Sequence, residues 1–356
     1  MDGYTDCAFR QIVKEIFDKY GEKKYELWLW TEFMNADGYI INPPWVIKHL
    51  LTDKNQSPVI AQIFWSDEKM LMKCFADIQK KYFLNAEFRM QNAEKNKKKS
   101  INSELWTLNS EFSFAGIELN MGCPARNVMH TGWGSALLRD RTKTLETIKK
   151  LSLIMKMPLS IKTRTGTDEH DLKAQMEFLV EASNYVSMIS IHGRTVKQWY
   201  SDESNWDFVY ELKKKADKKC KILWNGGIKH YEDIPLLTKN LDWVMIGQWA
   251  IGNPRIFTPH TPSREEIKET ILKHLDYMIS YENYFQEQKA KYKSILVMPE
   301  ELEINVKNPQ AITLAEFRKH LFQYVKWIPW SKEFKQKVST ISEYNSLVEE
   351  IQKFLW

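Results

Sequence analysis

The sequence has few cysteines and no long apolar stretch. Its four cysteines, in a chain of 356 residues, are Cys7, Cys74, Cys123 and Cys220. Because no two of them form a CxxC pair, the sequence argues against a zinc site or a disulfide framework. We therefore expect a protein of the reducing cytoplasm that binds no metal. No run of about eighteen uncharged apolar residues is present, and the first residues lack the basic and apolar regions of a signal peptide, so we expect no association with a membrane.

The net charge of the chain is small. Lysine and arginine together number 51, and aspartate and glutamate number 46, which gives a net charge of +5. Such a charge permits an anionic partner without requiring one. Apolar residues make up 43% of the chain, which is enough to bury a sizeable core and excludes wholesale disorder. The 14 tryptophans and 15 tyrosines serve either core packing or stacking on bases, and composition does not choose between the two.

Short apolar segments alternate with segments of helical period along most of the chain. The strand candidates are 25–30, 58–64, 115–121, 158–163, 186–191, 221–224 and 243–247, and the helix candidates are 7–20, 68–83, 142–156, 172–184, 207–214 and 232–238. This alternation predicts parallel pairing, an α/β fold and a TIM (β/α)8 barrel. The first barrel strand would have to precede Met1, so it is apparently missing from this chain. The alternative is a sheet that is not a closed eight-stranded barrel.

The C-terminal segment, residues 261–356, has a different pattern. It contains no strand candidate, and we predict helices over 263–284, 313–327, 331–338 and 342–354. Ser263 and Thr313 are each followed three residues later by a glutamate, and this capping-box pattern predicts that both residues cap helices. We therefore expect an all-α helical bundle that forms a separate domain after a barrel domain of residues 1–260.

A polar, basic segment interrupts the barrel pattern at residues 85–114. It contains the sequence NAEKNKKKS and is much longer than the two to six residues typical of connections between a helix and a strand. We interpret it as an inserted loop. Such a loop is either a solvated surface segment or a lysine arm that touches phosphates.

Polar side chains and glycine turns follow the predicted strands. In a parallel barrel, function gathers at the carboxyl ends of the strands. The residues at these ends are Gln62, Asn120, Cys123, Lys162, Arg164, His192, Arg194, Asn225, Gly226, Gly227, Gly247 and Gln248. The last two glycine turns predict phosphate binding by backbone N–H groups, although glycine also serves ordinary turns.

Three of these side chains each have two interpretations. Cys123 is either a buried small apolar residue or a loop thiol that exchanges a proton. Lys162 is either a surface lysine or a partner for a phosphate or an anionic ring. His192 either holds a phosphate or has a purely structural role.

The chain resembles the tRNA-dihydrouridine synthases, flavin enzymes that reduce uridine in tRNA. The matching motifs, in chain order, are MDGYTD, TEF, QIFWSD, ELNMGCP, GSALLR, KTRTG, HGRT, NGGI, IGQ and GNP, and the helical tail adds FRKHL. Each motif is weak alone, but their common order across residues 1–257 is highly specific.

The resemblance implies a TIM barrel that holds FMN. It also implies that NADPH or NADH reduces the FMN. By position, Met1 and Asp2 would line the flavin through their backbone. Gln62 and Lys162 would contact the isoalloxazine ring. His192 would hold the ribityl phosphate together with the turns Asn225-Gly226-Gly227 and Gly247-Gln248. Cys123 would be the general acid that protonates C5 of a flipped-out uracil after hydride transfer from FMN to C6.

The resemblance also implies tRNA contacts, and we expect the enzyme to act as a monomer. The candidate substrate or phosphate contacts are Asn120, Arg126, Arg139, Arg194, Arg318 and Lys319. Further candidates in the tail are Lys326, Lys332 and Lys335 for the phosphate backbone and Trp327 or Trp330 for stacking.

Three features depart from the family pattern. The initial strand and its proline are missing, so we expect the true start to lie upstream. Gln248 and Gly227 stand where the family often has arginine and aspartate, respectively. The 85–114 segment lengthens a loop that is usually short in the family. Two alternatives therefore stay open. One is another FMN-dependent barrel oxidoreductase that acts on a small molecule, and the other is a catalytically inert RNA-binding relative.

Overall fold

The computed structural model describes Met1 and residues 3–80, 114–200, 203–291 and 310–355. Asp2 and nearly all of the inserted loop, residues 85–113, lie outside the described residues. The chain divides into two compact units. We call Phe33–Leu50 with Ser57–Ile246 the sheet unit, and Met1–Glu32 with Leu51–Gln56 and Gly247–Trp356 the terminal unit.

The described residues contain a seven-stranded sheet in sequential order. Its strands are β1 (Leu29–Asn35), β2 (Val59–Phe64), β3 (Gly116–Asn120), β4 (Leu159–Arg164), β5 (Met188–His192), β6 (Lys221–Asn225) and β7 (Trp243–Met245). Strands β2 to β7 pair in parallel, each with the next in the chain. Every residue of β2, β3 and β5 is buried, as expected where both faces of a parallel sheet are covered. The predicted TIM-like α/β fold is confirmed.

Helices connect the strands and form the C-terminal region. They are α1 (Cys7–Tyr20), α2 (Ala36–Ile41), α3 (Pro43–Val46), α4 (Glu68–Gln79), α5 (Arg126–His130), α6 (Arg141–Ile154), α7 (Leu172–Ala182), α8 (Trp206–Lys215), α9 (Asp233–Thr238), α10 (Arg264–Lys291), α11 (Ala311–Tyr324), α12 (Ser331–Val338) and α13 (Tyr344–Phe354). Within the described ranges, none of these helices is both long enough and apolar enough to cross a membrane.

The first strand begins four residues later than residue 25, where the sequence places it. The Tyr25 N–H donates to the carbonyl of Glu22 and closes a turn, and residues 25–28 that follow have no regular structure. Strand β1 continues to Asn35, whose side chain then accepts hydrogen bonds from the N–H groups of Asp37 and Gly38. Because that side chain caps α2, the strand ends there.

The terminal unit is built on α1, α10 and α11. Helix α1 packs on α10, which in turn packs on α11. The capping box at the start of α10 is confirmed, since Glu266 N donates to Ser263 Oγ at 3.2 Å and Ser263 N donates to the Glu266 carboxylate at 2.9 Å. The predicted cap at Thr313 is wrong. Helix α11 begins at Ala311, so Thr313 lies inside the helix and not at its start. The Thr313 side chain is buried together with that of Leu314.

Candidate active site

One face of the sheet carries polar side chains at alternating positions. Successive side chains of a strand point to opposite faces, so Glu118 and Asn120 share one face of β3, and Ser190 and His192 share one face of β5. The register places Lys162 beside both Asn120 and Ser190. The intervening positions are isoleucines and leucines buried in the core. A polar face that is itself buried requires internal partners for each polar group.

Glu118 is the buried charge at the centre of this face. Its side chain is fully buried, and its carboxylate accepts hydrogen bonds from Gln62 Nε2 at 2.6 Å and Ser190 Oγ at 2.9 Å. These contacts fix the orientation of the Gln62 amide, which the resemblance places at the flavin ring. Sequence reasoning did not assign Glu118 a role. An acidic residue inside an apolar strand was the signal that could have identified it.

Asn120 connects this network to the loop that carries Cys123. Its Nδ2 donates to Gln62 Oε1 at 3.0 Å, and its Oδ1 accepts from the N–H groups of Gly122 at 3.1 Å and Cys123 at 3.2 Å. The Cys123 carbonyl accepts from Ser135 N at 3.0 Å and Ser135 Oγ at 2.8 Å. The backbone of Cys123 is therefore held on both sides. Cys123 is partly buried, whereas the other three cysteines are buried.

Lys162 and Asn225 meet across neighbouring strand ends. Lys162 Nζ donates to Asn225 Oδ1 at 3.2 Å, while Asn225 Nδ2 donates to the Met245 carbonyl at 2.8 Å. Burial lowers the pKa of the Lys162 amine, and the nearby Glu118 carboxylate partly offsets this effect. The amine is thus placed beside an amide rather than paired directly with a carboxylate.

His192 is a neutral imidazole in this site. Burial, followed by the positive charges of Arg164, Lys162 and Arg194, lowers its pKa to about 2. Arg194 Nη1 lies 3.2 Å from His192 Nε2. Since a guanidinium only donates, the Nε2 atom accepts this bond, and the proton of the neutral ring is on Nδ1. His192 therefore contributes no positive charge of its own, and the positive charge around it comes from Arg164, Lys162 and Arg194.

A glycine turn lies against the His192 ring. Gly226 and Gly227 have φ values of +106° and +78°, which favour glycine. A Cβ at Gly226 would lie 2.7 Å from His192 Cδ2 and 3.2 Å from Ser204 Oγ. The Ser204 Oγ atom is buried and has no hydrogen-bond partner among the described residues. A glycine turn with an unpartnered hydroxyl beside it fits the phosphate group predicted at this position.

Four residues predicted to bind the cofactor lie in the terminal unit or outside the described residues. The Met1 carbonyl accepts hydrogen bonds from the N–H groups of Tyr4 and Thr5 at 3.0 Å each. Gly247 precedes a short 3-10 helix, Gln248–Ala250, and Gln248 is exposed. Asp2 is outside the described residues. The cofactor contacts of all these residues stay predictions.

The predicted tRNA contacts differ in how their side chains are used. Arg318 Nη1 donates to the carbonyls of Ser339 at 2.7 Å and Ile341 at 3.0 Å, just beyond the end of α12. It therefore stabilises the tail, and its contact with tRNA stays a prediction. Lys319 Nζ lies 5.8 Å from the centre of the Tyr4 ring. The exposed side chains include Arg139, Lys326, Lys332, Trp327 and Trp330. The side chain of Arg126, the first residue of α5, is outside the described residues.

The terminal unit contains a buried polar cluster that sequence reasoning missed. Asp6 Oδ1 caps α1 by accepting from Phe9 N at 2.8 Å, and Asp6 Oδ2 lies 3.2 Å from His320 Nε2. His274 Nδ1 lies 3.0 Å from the Tyr324 hydroxyl. Asp6, His274 and His320 are also the one group of metal-ligand type among the described residues. Since both Asp6 oxygens are already engaged, we interpret the cluster as a hydrogen-bond network.

The fold and the strand-end side chains together define a class of protein. A sequential parallel α/β sheet with an amide, a thiol, an amine and an imidazole at its strand ends is typical of barrel enzymes. The family model "Dihydrouridine synthase (Dus)" matches residues 103–355. The chain therefore belongs to the dihydrouridine synthase family.

Individual relatives agree with this family. A probable tRNA-dihydrouridine synthase of Rickettsia typhi is 28% identical over 260 residues, which cover 69% of this chain and 71% of the relative. A probable tRNA-dihydrouridine synthase of Aquifex aeolicus is 23% identical over an alignment that covers 99% of this chain and 93% of the relative. A probable tRNA-dihydrouridine synthase 2 of Bacillus subtilis is 26% identical, covering 83% of this chain and 80% of the relative.

Proposed function

We propose that this protein reduces uridine in tRNA to 5,6-dihydrouridine, with FMN as its cofactor and NADPH or NADH as the reductant. The observation that carries the proposal is the hydrogen-bonded series from Glu118 through Gln62 and Asn120 to the backbone of Cys123. It joins two strand-end amides to the loop of the partly buried Cys123, in a chain of the dihydrouridine synthase family.

The sheet unit offers suitable donors for a flavin. Gln62 and Lys162 would contact the isoalloxazine ring, where the Lys162 amine would stabilise negative charge. Gly226, Gly227 and the neighbouring strand end at Asn225 would receive the ribityl phosphate. His192 would lie beside this phosphate with the Nε2 and Cδ2 edge of its ring toward the turn, and Arg194 would supply the nearby positive charge. When bound and reduced, the flavin would supply a hydride to C6 of the uracil.

Cys123 would supply the proton. Hydride addition at C6 leaves negative charge at C5 and O4 of the uracil, and a proton must reach C5. A thiol is mostly protonated near neutral pH, so Cys123 can act as this general acid and regain its proton from water. Asn120 and Ser135 hold the Cys123 backbone, which keeps the thiol in one place. The target base would have to be flipped out of the tRNA to reach it.

The helical tail would bind the tRNA outside the reacting base. Lys326 and Trp327 are both exposed, and the Lys326 amine lies 4.7 Å from the centre of the Trp327 ring. A cation beside an exposed aromatic ring suits a phosphate next to a stacked base. Residues 1–260 would accordingly form the FMN-binding catalytic domain, and residues 261–356 the tRNA-binding domain.

A purified sample of the full chain tests the proposal in two stages. The visible absorption spectrum, followed by acid release, should identify FMN. Incubation with NADPH and an unmodified tRNA transcript should then add two hydrogens to a uridine, which mass spectrometry of the digested tRNA detects. Bound FMN without tRNA reduction, together with turnover of a small enoate, would indicate the alternative oxidoreductase. A colourless protein that binds tRNA would indicate an inert relative.

A further inference from the structure

Three hydrogen-bond donors at the glycine turn of the sheet unit have no partner among the described residues. Among the described residues, neither the Gly226 N–H nor the Gly227 N–H donates a hydrogen bond. The Ser204 Oγ atom is buried and is likewise without a partner there. Leaving a buried hydroxyl unsatisfied is unfavourable, so a hydroxyl that is retained in this state needs a reason.

The geometry places the hydroxyl directly over the turn. Ser204 Oγ lies 3.2 Å from the position that a Cβ would take at Gly226 and 3.3 Å from that position at Gly227. Any side chain at either glycine would therefore meet the hydroxyl. The glycines leave this space open, and the positive φ of both residues makes a larger residue there strained as well.

The surroundings select an anion rather than a neutral group. All three open groups are donors, and successive backbone N–H groups together with a hydroxyl can hold the oxygens of an anion. Positive charge is close by, since Arg194 Nη1 lies 3.2 Å from His192 Nε2, and the His192 ring contacts the same turn. Because His192 is neutral, the cradle suits an anion that is held mainly by hydrogen bonds.

We infer that Ser204 is a phosphate ligand, which donates from Oγ to a terminal oxygen of the flavin 5′-phosphate. This inference rests on the proposed function, because it takes FMN as the molecule that brings the phosphate. The position was not among the binding residues expected from sequence, since Ser204 immediately precedes the helix cap Asn205 and reads as an ordinary turn residue. Its role follows from the approach of that turn to Gly226 and Gly227.

The experiment compares two flavins that differ only in the phosphate. Apoprotein is prepared for the wild type, Ser204→Ala and Ser204→Thr, and binding of FMN and of riboflavin is measured by flavin fluorescence. Ser152→Ala is the matched control, because the Ser152 hydroxyl donates to the Lys149 carbonyl within α6, away from the turn. Thermal melts of each apoprotein verify that the variants fold.

We expect Ser204→Ala to weaken FMN binding about tenfold, which corresponds to about 1.4 kcal/mol, and to leave riboflavin binding within about twofold of the wild type. Ser204→Thr retains a hydroxyl and should recover part of the FMN affinity. An equal loss for both flavins, or unchanged FMN binding, would overturn the inference. A wild type that binds riboflavin as tightly as FMN would also overturn it while leaving the proposed function intact. A wild type that binds neither flavin would overturn the cofactor itself, and the inference with it.

Discussion

The sheet unit and the terminal unit both bury histidines, but they surround them differently. In the sheet unit, His192 lies beside a glycine turn where buried donors have no protein partner. In the terminal unit, His274 and His320 pack edge to face with ring centres 4.6 Å apart, and each also bonds to a side chain of its own unit, Tyr324 and Asp6 respectively.

The difference separates the proposed phosphate site from a structural network. Two backbone N–H groups and a hydroxyl together suit an anion, whereas the histidine rings of the terminal unit contact one another. Burial alone therefore does not identify a functional histidine. Both regions retain buried polar atoms without a partner among the described residues, namely Ser204 Oγ in the sheet unit and His274 Nε2 and His320 Nδ1 in the terminal unit. What distinguishes the regions is the surroundings of these atoms, which are a glycine turn with two open N–H groups in the first and neighbouring rings in the second.

The largest expected effect concerns the thiol of the sheet unit. Cys123→Ala should lower turnover of tRNA by about 10²- to 10⁴-fold, because it removes the general acid, and should leave flavin content and thermal stability nearly unchanged. Single-turnover oxidation of the reduced enzyme by tRNA measures the effect. Cys220→Ala is the control, since Cys220 is buried and we expect it to affect only stability. Turnover near the wild-type rate in Cys123→Ala would remove this residue from the acid role.

The next effect should be on the stability of the sheet unit. Glu118→Ala removes the acceptor for Gln62 and Ser190 and leaves both donors buried, so we expect a loss of about 3 kcal/mol in the free energy of unfolding. Urea denaturation followed by circular dichroism measures the loss. Glu118→Gln retains an acceptor oxygen and should therefore lose less of the free energy of unfolding. Equal losses in the two variants would show that these hydrogen bonds do not account for the stability.

The terminal unit should become less stable as the pH falls. Burial, followed by the positive charge of His320, lowers the pKa of His274 to about 3, below the ordinary value of 6.5. Between these values the unfolded chain binds a proton that the folded chain does not, so stability is complete above pH 6.5 and is lost toward pH 3.

His274→Gln tests this contribution. The slope is at most about 1.4 kcal/mol per pH unit, and melting temperatures measured from pH 7 to pH 4 should fall less steeply in His274→Gln than in the wild type. His320→Gln serves as the comparison, because it changes the contact with Asp6 rather than the one with Tyr324. Parallel curves for the wild type and His274→Gln would show that this histidine does not set the pH dependence.

The smallest effect should be at the tail surface. Trp327 is 79% exposed, so Trp327→Ala should hardly change the melting temperature. If a base stacks on this ring, tRNA binding should weaken about fivefold, which a filter-binding titration measures at fixed salt. Leu153→Ala in α6 is the matched control, since Leu153 is 85% exposed and belongs to the sheet unit. Equal binding by both variants would count against a role for Trp327 in tRNA recognition.

Much of the fold could be predicted from the sequence because its signals are local. Strands such as β2 and β5 are short apolar runs between turns, and α1 and α12 have the bounds that their periodicity predicts. The box of Ser263 and Glu266 was predictable because its partners are three residues apart. The cap assigned to Thr313 failed because the same short pattern also fits the inside of a helix.

The candidate site was predictable where its residues follow strands directly. Gln62, Asn120 and Lys162 were expected at strand ends, and the structure brings them into one region since parallel strands end at the same edge of a sheet. Glu118 and Ser204 were missed for different reasons. Glu118 lies inside a strand, and the importance of Ser204 depends on a turn that is distant in sequence.

The alternation of strand and helix, the helical tail, the order of the motifs and the residue types at the strand ends could all be read from the sequence. These properties follow from periodicity and from spacing along the chain. Which polar groups are satisfied depends on the packing of elements that are distant in sequence. The partners of Glu118 and His320 come from other elements of their own units, and the open donors around Gly226 can be recognised only once the packing of its neighbours is known.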